Sequence, residues 1–224
     1  MMAEGLLAIW TTLEEDYRNE FRKWHSCEHI RDRISIPGFC TARRYQGIGD
    51  TFDFLMCYET EDTKVLASEP YLWAVNHPTP WTREIIAHSK KTVRAIYSLL
   101  STAGERPLLE APYLITLAFN IDFDQENVVL QECAEAIRKA CLLPGVCRSR
   151  LYRMDEETSG LKTEERKMHG GGPGEQKFLL LYEATSLNVA DRRDWQDLHT
   201  GSGFLKRLRD VRFDSFWLDF WLTR

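Results

Sequence analysis

The 224-residue chain lacks an apolar run long enough to cross a membrane, a C-x-x-C pair and any excess of basic charge. A membrane helix needs about 20 apolar residues, and the stretch "GLLAIW" at Gly5 to Trp10 is too short even for a secretory signal core. Six cysteines without metal-type spacing indicate buried thiols. The net charge of −5 argues against a nucleic-acid surface. We therefore expect a cytoplasmic globular protein with no membrane or nucleic-acid partner.

The chain contains an internal duplication. "IPGFCTARRY" (36–45) and "LPGVCRSRLY" (143–152) share Pro, Gly, Cys, Arg and Tyr at an offset of 107 residues. Two further matches follow in the same order: "FLMCYET" (54–60) with "FLLLYEA" (178–184), and Trp73-x-x-x-His77 with Trp195-x-x-x-His199. We place a first unit at 1–104 and a second at 105–224, with a Pro- and Gly-containing linker at 101–112.

Each half predicts the order β-α-β-β-α-β, a ferredoxin-like unit of the α+β class. The predicted helices are Glu14 to Ile34 and Thr63 to Asn76 in the first half, and Gln125 to Cys141 and Ala190 to Leu198 (or on to Leu208) in the second. The predicted last strands are Thr92 to Leu99 and Phe213 to Leu222. A four-stranded sheet with both helices on one face leaves the other face bare, so two units can bury those faces against each other.

The second half carries extra residues at 154–176, "MDEETSGLKTEERKMHGGGPGEQ". This segment is polar, acidic and Gly-rich, which predicts a long, mobile hairpin loop. An insertion without function is the favoured interpretation, because long surface loops are tolerated thermodynamically.

The run "WHSCEHIRDRISIPGFCTARRY", followed by "FLMCYE" and "NHPTPWT", resembles the dimeric α+β barrel superfamily and, within it, the EthD-like proteins. The resemblance covers the first half closely, and the second only through its Pro-Gly and Tyr-Glu segments. It implies an intrachain dimeric α+β barrel with a pocket between sheet and helices in each unit. It does not imply one chemistry, since the superfamily includes cofactor-free monooxygenases, isomerases, cyclases, lyases and haem enzymes.

The first long helix carries the candidate chemistry, in "FRKWHSCEHIRDR" (21–33). On a helical wheel of about 100° per residue, Phe21, Trp24 and Glu28 share one face. His25 falls at the edge of that face, and His29 is displaced from Glu28 by about 100°. We therefore predict Trp24 and Glu28 against the sheet, His25 at the pocket rim and His29 toward solvent or a neighbouring loop.

His25-x-x-Glu28-His29 also fits the H-x-x-E-H pattern of one class of zinc protease. A third protein ligand is missing, so we expect no metal. In the acid/base interpretation His25 is the base, Glu28 fixes its tautomer, and Tyr45 or Tyr58 donates to an oxyanion. The structural alternatives are a salt bridge from Glu28 to Arg31, Arg43 or Arg44, and a solvated His25.

Substrate contacts are expected from six side chains: Phe21, Trp24, His29, Arg43, His77 and Trp81. His77 follows a helix and His199 repeats its context, which favours a structural role for both. Tyr45 and Tyr58 recur as Tyr152 and Tyr182, so a scaffold role stays open for them. At the offset of 107 residues, the acid at Glu28 is the only candidate residue of the first long helix that is retained in the second half, where it is Glu135. We therefore expect the first unit to be the active one.

These observations predict a cofactor-independent acid/base enzyme of the lyase, isomerase or cyclase type. Its expected substrate is a small apolar or aromatic carbonyl compound. The alternatives are a non-catalytic binding protein or accessory subunit for a hydrophobic metabolite, and a cofactor-free monooxygenase. We expect no cofactor, although His25, His29 or His77 could ligate a haem. Whether two copies of the chain form a homodimer stays open.

Overall fold

The computed structural model describes residues 3–106, 110–170, 173–201 and 204–224. They form two compact units that are discontinuous in sequence. Unit 1 comprises Met1–Ser98, Asp155–Gly174 and Asp219–Arg224; unit 2 comprises Leu99–Met154 and Glu175–Leu218. The units therefore differ from our division at residue 104, because two segments from the second half of the sequence pack with the first half.

The sheet of unit 1 is antiparallel, in the order β2-β3-β1-β4. Its strands are β1 (Gly5–Leu13), β2 (Phe39–Ile48), β3 (Phe54–Thr60) and β4 (Ser89–Gly104, of which residues to Ser98 belong to unit 1). Side chains alternate between the two faces of a strand. On β3, Phe54, Met56 and Tyr58 therefore face the helices and join the hydrophobic core, whereas Leu55, Cys57 and Glu59 point to the opposite face.

The predicted helix from Glu14 to Ile34 ends at Ile34 but is interrupted. It consists of a 3-10 turn (Glu15–Tyr17), α1 (Arg18–Trp24), a π-helical turn (His25–His29) and α2 (Ile30–Ile34). The predicted second helix is a 3-10 turn (Thr63–Ala67) followed by α3 (Glu69–Asn76).

A helix that we did not predict, α4 (Pro80–Ala87), follows α3. Thr79 caps it by accepting a hydrogen bond from the Thr82 backbone N–H at 3.0 Å. Pro80 occupies the first turn, where a missing N–H costs nothing. Helix α4 thus begins with a cap and a proline, the usual start signals of a helix.

Unit 2 repeats the β-α-β-β-α-β order, which confirms the predicted α+β class and tandem ferredoxin-like arrangement. Its elements are β5 (Tyr113–Ile121), α5 (Glu126–Ala140), β6 (Val146–Met154), β7 (Phe178–Ala184), α8 (Arg193–Gly201) and β8 (Leu208–Thr223). The antiparallel order is β6-β7-β5-β8. Aromatic side chains of Phe119, Phe178, Tyr182 and Trp195 fill the core between its sheet and helices.

The extra segment between β6 and β7 is folded, contrary to our expectation of a mobile loop. It contains α6 (Glu156–Gly160) and α7 (Glu164–His169), and α7 packs on α3 and α4 within unit 1. Asp155 and Thr163 cap the two helices, and Gly170 ends α7 with φ of 64°. The polar and glycine residues interpreted as loop signals are therefore helix start and stop signals.

Parts of three predicted segments lie outside the described residues: 107–109 of the linker, 171–172 of the extra segment, and 202–203 in the continuation beyond Leu198. No helix in the described ranges is long and apolar enough to span a membrane.

Candidate active site

The π-helical turn His25–His29 changes the helix face that meets the sheet. Such turns widen the helix locally and occur frequently at functional sites. Buried residues are spaced by four, five and four along this helix (Phe21, His25, Ile30, Ile34), but by four and four along α5 (Val129, Cys133, Ile137). Unit 1 thus has one extra residue in the turn. A regular wheel therefore misplaces the side chains that follow Trp24.

His25 lies inside the protein rather than at a rim, with 0% of its surface exposed. Its Nε2 lies 2.8 Å from the Tyr58 hydroxyl, and its buried Nδ1 has no hydrogen-bond partner among the described residues. Burial lowers the pKa of His25 well below its usual value, and the guanidiniums of Arg44 and Arg33 lower it further. Burial also raises the pKa of Tyr58. A neutral imidazole and a neutral phenol therefore form this pair.

Arg44, on the helix-facing side of β2, anchors the same helix. Its Nε pairs with Asp219 at 2.9 Å, and its Nη1 donates to the Arg22 carbonyl and to Ser26 Oγ, each at 3.0 Å. These bonds satisfy Arg44 without Glu28, so the predicted Glu28–Arg44 salt bridge is wrong. They also fix a positive charge near His25, which helps to keep that imidazole neutral.

His29 is 8% exposed and turned inward, so its predicted solvent position is wrong. The extra residue of the π turn rotates it onto the core side of the helix. Its ring lies 4.2 Å from the Trp24 ring, centre to centre. Burial lowers the pKa of His29 well below its usual value, and Arg33 adds to this effect. His29 is therefore an uncharged imidazole at neutral pH.

A cavity of about 30 Å³ lies between the sheet and helices of unit 1. Apolar side chains form most of its wall: Ile9, Phe21, Trp24, Met56, Ile85 and Ile86. Polar side chains complete it: Thr11, His29, Thr82, Ser89, Glu165 and His169. One water molecule needs roughly 10–15 Å³ of cavity volume. The cavity therefore has room for water but not for a larger molecule.

A groove of about 490 Å³ runs outside this cavity, also within unit 1. Arg33, Trp73 and His77 are among its lining residues. His29, Thr82 and Glu165 line both the groove and the cavity. These three side chains therefore form the wall between the two spaces, and a movement there would connect them.

Helix α7 closes the site from outside. Glu165 forms an ion pair with Arg33, which is only 5% exposed, and the Glu164 backbone N–H donates to Asn76 Oδ1 at 3.0 Å. His169, at the end of α7, lines the cavity. Burial and the nearby Arg94 lower its pKa to about 4. We did not predict Arg33, Glu165 or His169; the Thr163 cap and Gly170 stop could have revealed the helix.

Glu28 does not orient His25, since no hydrogen bond joins them among the described residues. The half-buried Glu28 carboxylate instead accepts from Thr79 Oγ1 at 2.6 Å and from Thr82 Oγ1 at 3.4 Å. Trp24 Nε1 donates to the same Thr82 hydroxyl at 3.2 Å. Glu28 therefore ties the π turn to the start of α4.

Tyr45 and Arg43 lie on the sheet face opposite to the helices, so the structure does not bring them to His25. They pair in register with Leu55 and Cys57, whose side chains point away from the helix-facing Tyr58. Arg43 forms a buried ion pair with Glu59 at 2.8 Å. The sequence motif shows which strand carries them but not which face.

Two further predicted contacts lie away from the cavity. Trp81 donates through Nε1 to Glu20 at 3.1 Å and lines neither space. His77 lines the groove, and its Nδ1 lies 2.8 Å from the Trp73 carbonyl oxygen. His199 makes the same contact with the Trp195 carbonyl at 2.8 Å. The repeated Trp-x-x-x-His motif thus has a shared local structure.

The H-x-x-E-H pattern is not arranged as a zinc site. His25 Nε2 is engaged by Tyr58 and Glu28 by the two threonines. In the described part of the chain, no group of three or more His, Cys, Asp or Glu side chains is placed to hold a metal ion.

No protein-family model matches the chain, and no curated protein matches its sequence. Its fold matches solved structures over nearly the whole length. An anthrone oxidase-like protein is 10% identical, with a TM-score of 0.67 and coverage of 99% of this chain and 93% of that one. A candidate monooxygenase from Fusobacterium nucleatum subsp. nucleatum is 7% identical, with a TM-score of 0.67 and coverage of 100% and 96%. A candidate chlorite dismutase is 18% identical, with a TM-score of 0.54 and coverage of 98% and 96%.

This chain has the dimeric α+β barrel fold. The predicted superfamily resemblance is confirmed at the level of fold, and the narrower EthD-like resemblance stays a prediction. At such identities the likeness extends to fold and not to reaction.

The family that the sequence resembles includes haem enzymes, which raises the question whether a haem fits the cavity. About 30 Å³ between sheet and helices has no room for a porphyrin, and the Nε2 of His25 is engaged by Tyr58. The residues present do not fit a haem there, and no step below involves one.

Proposed function

We propose that this protein is an enzyme that removes a proton from a small apolar or aromatic carbonyl compound, with His29 as the base. The observation that carries the proposal is the position of His29, an uncharged imidazole in the wall between the groove and the closed cavity of unit 1. Many lyase, isomerase and cyclase reactions of carbonyl compounds begin with such a step. This replaces His25, which is fully buried, lines neither the groove nor the cavity, and is bonded to Tyr58.

The proton transfer needs no reactant besides the substrate and His29. The substrate C–H bond breaks, its proton moves to an imidazole nitrogen of His29, and the electron pair moves to the carbonyl oxygen as an enolate. A depressed pKa keeps His29 free to accept the proton, and the enolate beside it then offsets the imidazolium charge. Access for a substrate requires the wall of His29, Thr82 and Glu165 to open, because the cavity has room only for water.

A protein that only binds a hydrophobic metabolite needs no titratable side chains in the wall of its cavity. Two imidazoles and a carboxylate in the wall of a largely apolar cavity therefore favour catalysis over simple binding. A cofactor-free oxygenase is the second candidate, supported by the fold neighbours described as anthrone oxidase-like and as candidate monooxygenases. Its reaction would begin with the same deprotonation, followed by attack of the carbanion on O₂.

Hydrogen exchange on simple carbonyl probes tests the proposal. Wild-type protein in D₂O with acetophenone or phenylacetone is expected to accelerate loss of the α-proton NMR signals relative to buffer. His29→Gln should lose about 10²-fold or more of that acceleration, the usual contribution of a general base. His77→Ala is the matched control, since His77 is an exposed histidine of the same groove.

Two outcomes would overturn the proposal. One is a wild-type rate equal to buffer for every probe. The other is full exchange activity in His29→Gln. Oxygen consumption with the same probes distinguishes the second candidate, because proton exchange alone consumes none.

A further inference from the structure

We propose that His169 is a second catalytic residue of this site, a hydrogen-bond donor to the oxyanion that forms when His29 removes the proton. The inference rests on the proposed function and extends it to a residue from the extra segment between β6 and β7. It makes α7 (Glu164–His169) part of the active site of unit 1 rather than of a tolerated insertion.

The cavity wall carries the inference. His169 and His29 both line the same closed cavity, which is otherwise mainly apolar. The Nδ1 atom of His169 is buried and has no hydrogen-bond partner among the described residues. A buried polar atom without a partner is costly to keep, and such atoms call for an explanation such as a ligand. A substrate oxygen in the cavity would provide that partner.

Helix α7 places His169 by contacts that a flexible loop would not have. Glu165, one turn earlier, pairs with the buried Arg33 of α2. Arg166 Nη1 donates to the carbonyl oxygens of Ser159 and Leu161 at 2.7 and 2.9 Å, which joins α7 to the end of α6. Such preorganisation is what an oxyanion donor requires, because no group must reorient as the charge develops.

His169 has the charge state that a hydrogen-bond donor to an enolate oxygen requires. An uncharged imidazole always carries one N–H, and His169 stays uncharged at neutral pH because its pKa is depressed. It therefore offers a hydrogen bond to an enolate oxygen without transferring its proton. His29 receives the proton from carbon and later returns a proton to the enolate, so the cycle closes with both imidazoles neutral.

The test uses His169→Ala, His169→Gln and, as matched control, Lys167→Ala on the exposed side of the same helix. In the deuterium-exchange assay His169→Ala should lose about 10²-fold of the wild-type acceleration, as oxyanion donors do. His169→Gln keeps an N–H donor and should recover part of the rate. Lys167→Ala should match wild type.

A second readout does not depend on turnover. 4-Nitrophenol, whose phenolate resembles an enolate and absorbs visibly, should bind wild type as the phenolate and bind His169→Ala more weakly. In a ¹⁵N-histidine spectrum of wild type, the ring signals of His169 should shift when 4-nitrophenol is added, a measurement that needs no folded variant.

The outcomes separate the two proposals. If His29→Gln loses exchange while His169→Ala keeps it, the donor role is overturned and the proposed function stands. If 4-nitrophenol leaves the His169 signals unchanged, the donor role is likewise overturned. If the phenolate binds through His169 but wild type catalyses no exchange, the oxyanion site stands and the proposed base chemistry fails.

Discussion

The Nε2 atom of His25 lies 2.8 Å from the hydroxyl oxygen of Tyr58, and the two residues are 0% and 1% exposed. This bond fastens the π-helical turn to strand β3. In unit 2 the corresponding Tyr182 hydroxyl lies 3.1 Å from the Nε2 of His199, on α8, and the first helix of that unit, α5, is a regular α-helix. Among the described residues, only in unit 1 does the tyrosine of this strand bond to the first helix, at the start of its π turn.

Tyr58→Phe should destabilise the protein by about 1–3 kcal/mol, because it leaves the buried His25 ring without its hydrogen bond. The free energy of unfolding in urea measures this. Tyr113→Phe is the control, since the described residues give the Tyr113 hydroxyl no hydrogen bond. Equal stability of Tyr58→Phe and wild type would contradict a structural His25–Tyr58 bond.

Glu28→Gln should change the unfolding free energy by less than about 1 kcal/mol, because an amide oxygen can still accept from Thr79 at a half-exposed site. Catalysed exchange should remain near the wild-type rate. Loss of exchange in Glu28→Gln with an unchanged melt would instead restore Glu28 as part of the acid/base machinery.

Thr82→Val removes the buried hydroxyl that Trp24 donates to, and should lower the free energy of unfolding by about 1–3 kcal/mol.

Arg33→Met should loosen α7, because Glu165 then remains as a largely buried, unpaired charge; such losses cost about 3–5 kcal/mol. Faster amide hydrogen exchange in Glu164–His169 is the expected observation. The double variant Arg33→Met/Glu165→Met should recover much of the protection, since it buries no charge. Lys167→Ala, which breaks the exposed Lys167–Glu164 pair, should have little effect. Unchanged protection in Arg33→Met would mean that the ion pair does not hold α7.

Stability should fall as the pH drops below about 6.5, the ordinary histidine pKa in an unfolded chain. The folded-state pKa values of His25 and His29 are depressed, so below that pH the unfolded state binds protons that the folded state does not. Each histidine then removes up to about 1.4 kcal/mol per pH unit until its folded pKa is reached. His29→Gln should show a shallower decline than wild type in urea titrations from pH 7.5 to 5. Parallel declines would show that His29 titrates normally in the fold.

The duplication, the succession of strands and helices along the chain and most helix limits could be predicted from the sequence, because hydrophobic periodicity and Pro-Gly turns are local signals. The π turn could not, since one extra residue in a helix leaves no local mark in "HSCEH". The structure therefore places His25 in the interior instead of at the rim, and His29 in the cavity wall instead of toward solvent. Glu165 and His169 were missed because their segment packs on distant parts of the chain, and composition alone suggested a loop. Tyr45 and Arg43 were misplaced because strand register decides which face a side chain takes.

The pH dependence of catalysed exchange in wild-type protein tests the central claim most directly, that a buried, uncharged His29 is the base. Because burial depresses the pKa of His29, the rate with phenylacetone should stay constant from pH 8 to below 6.5 and decline only at lower pH. His29→Gln should show no such pH-dependent catalysis. A decline centred near pH 6.5, as expected of a solvent-exposed imidazole, would contradict the account.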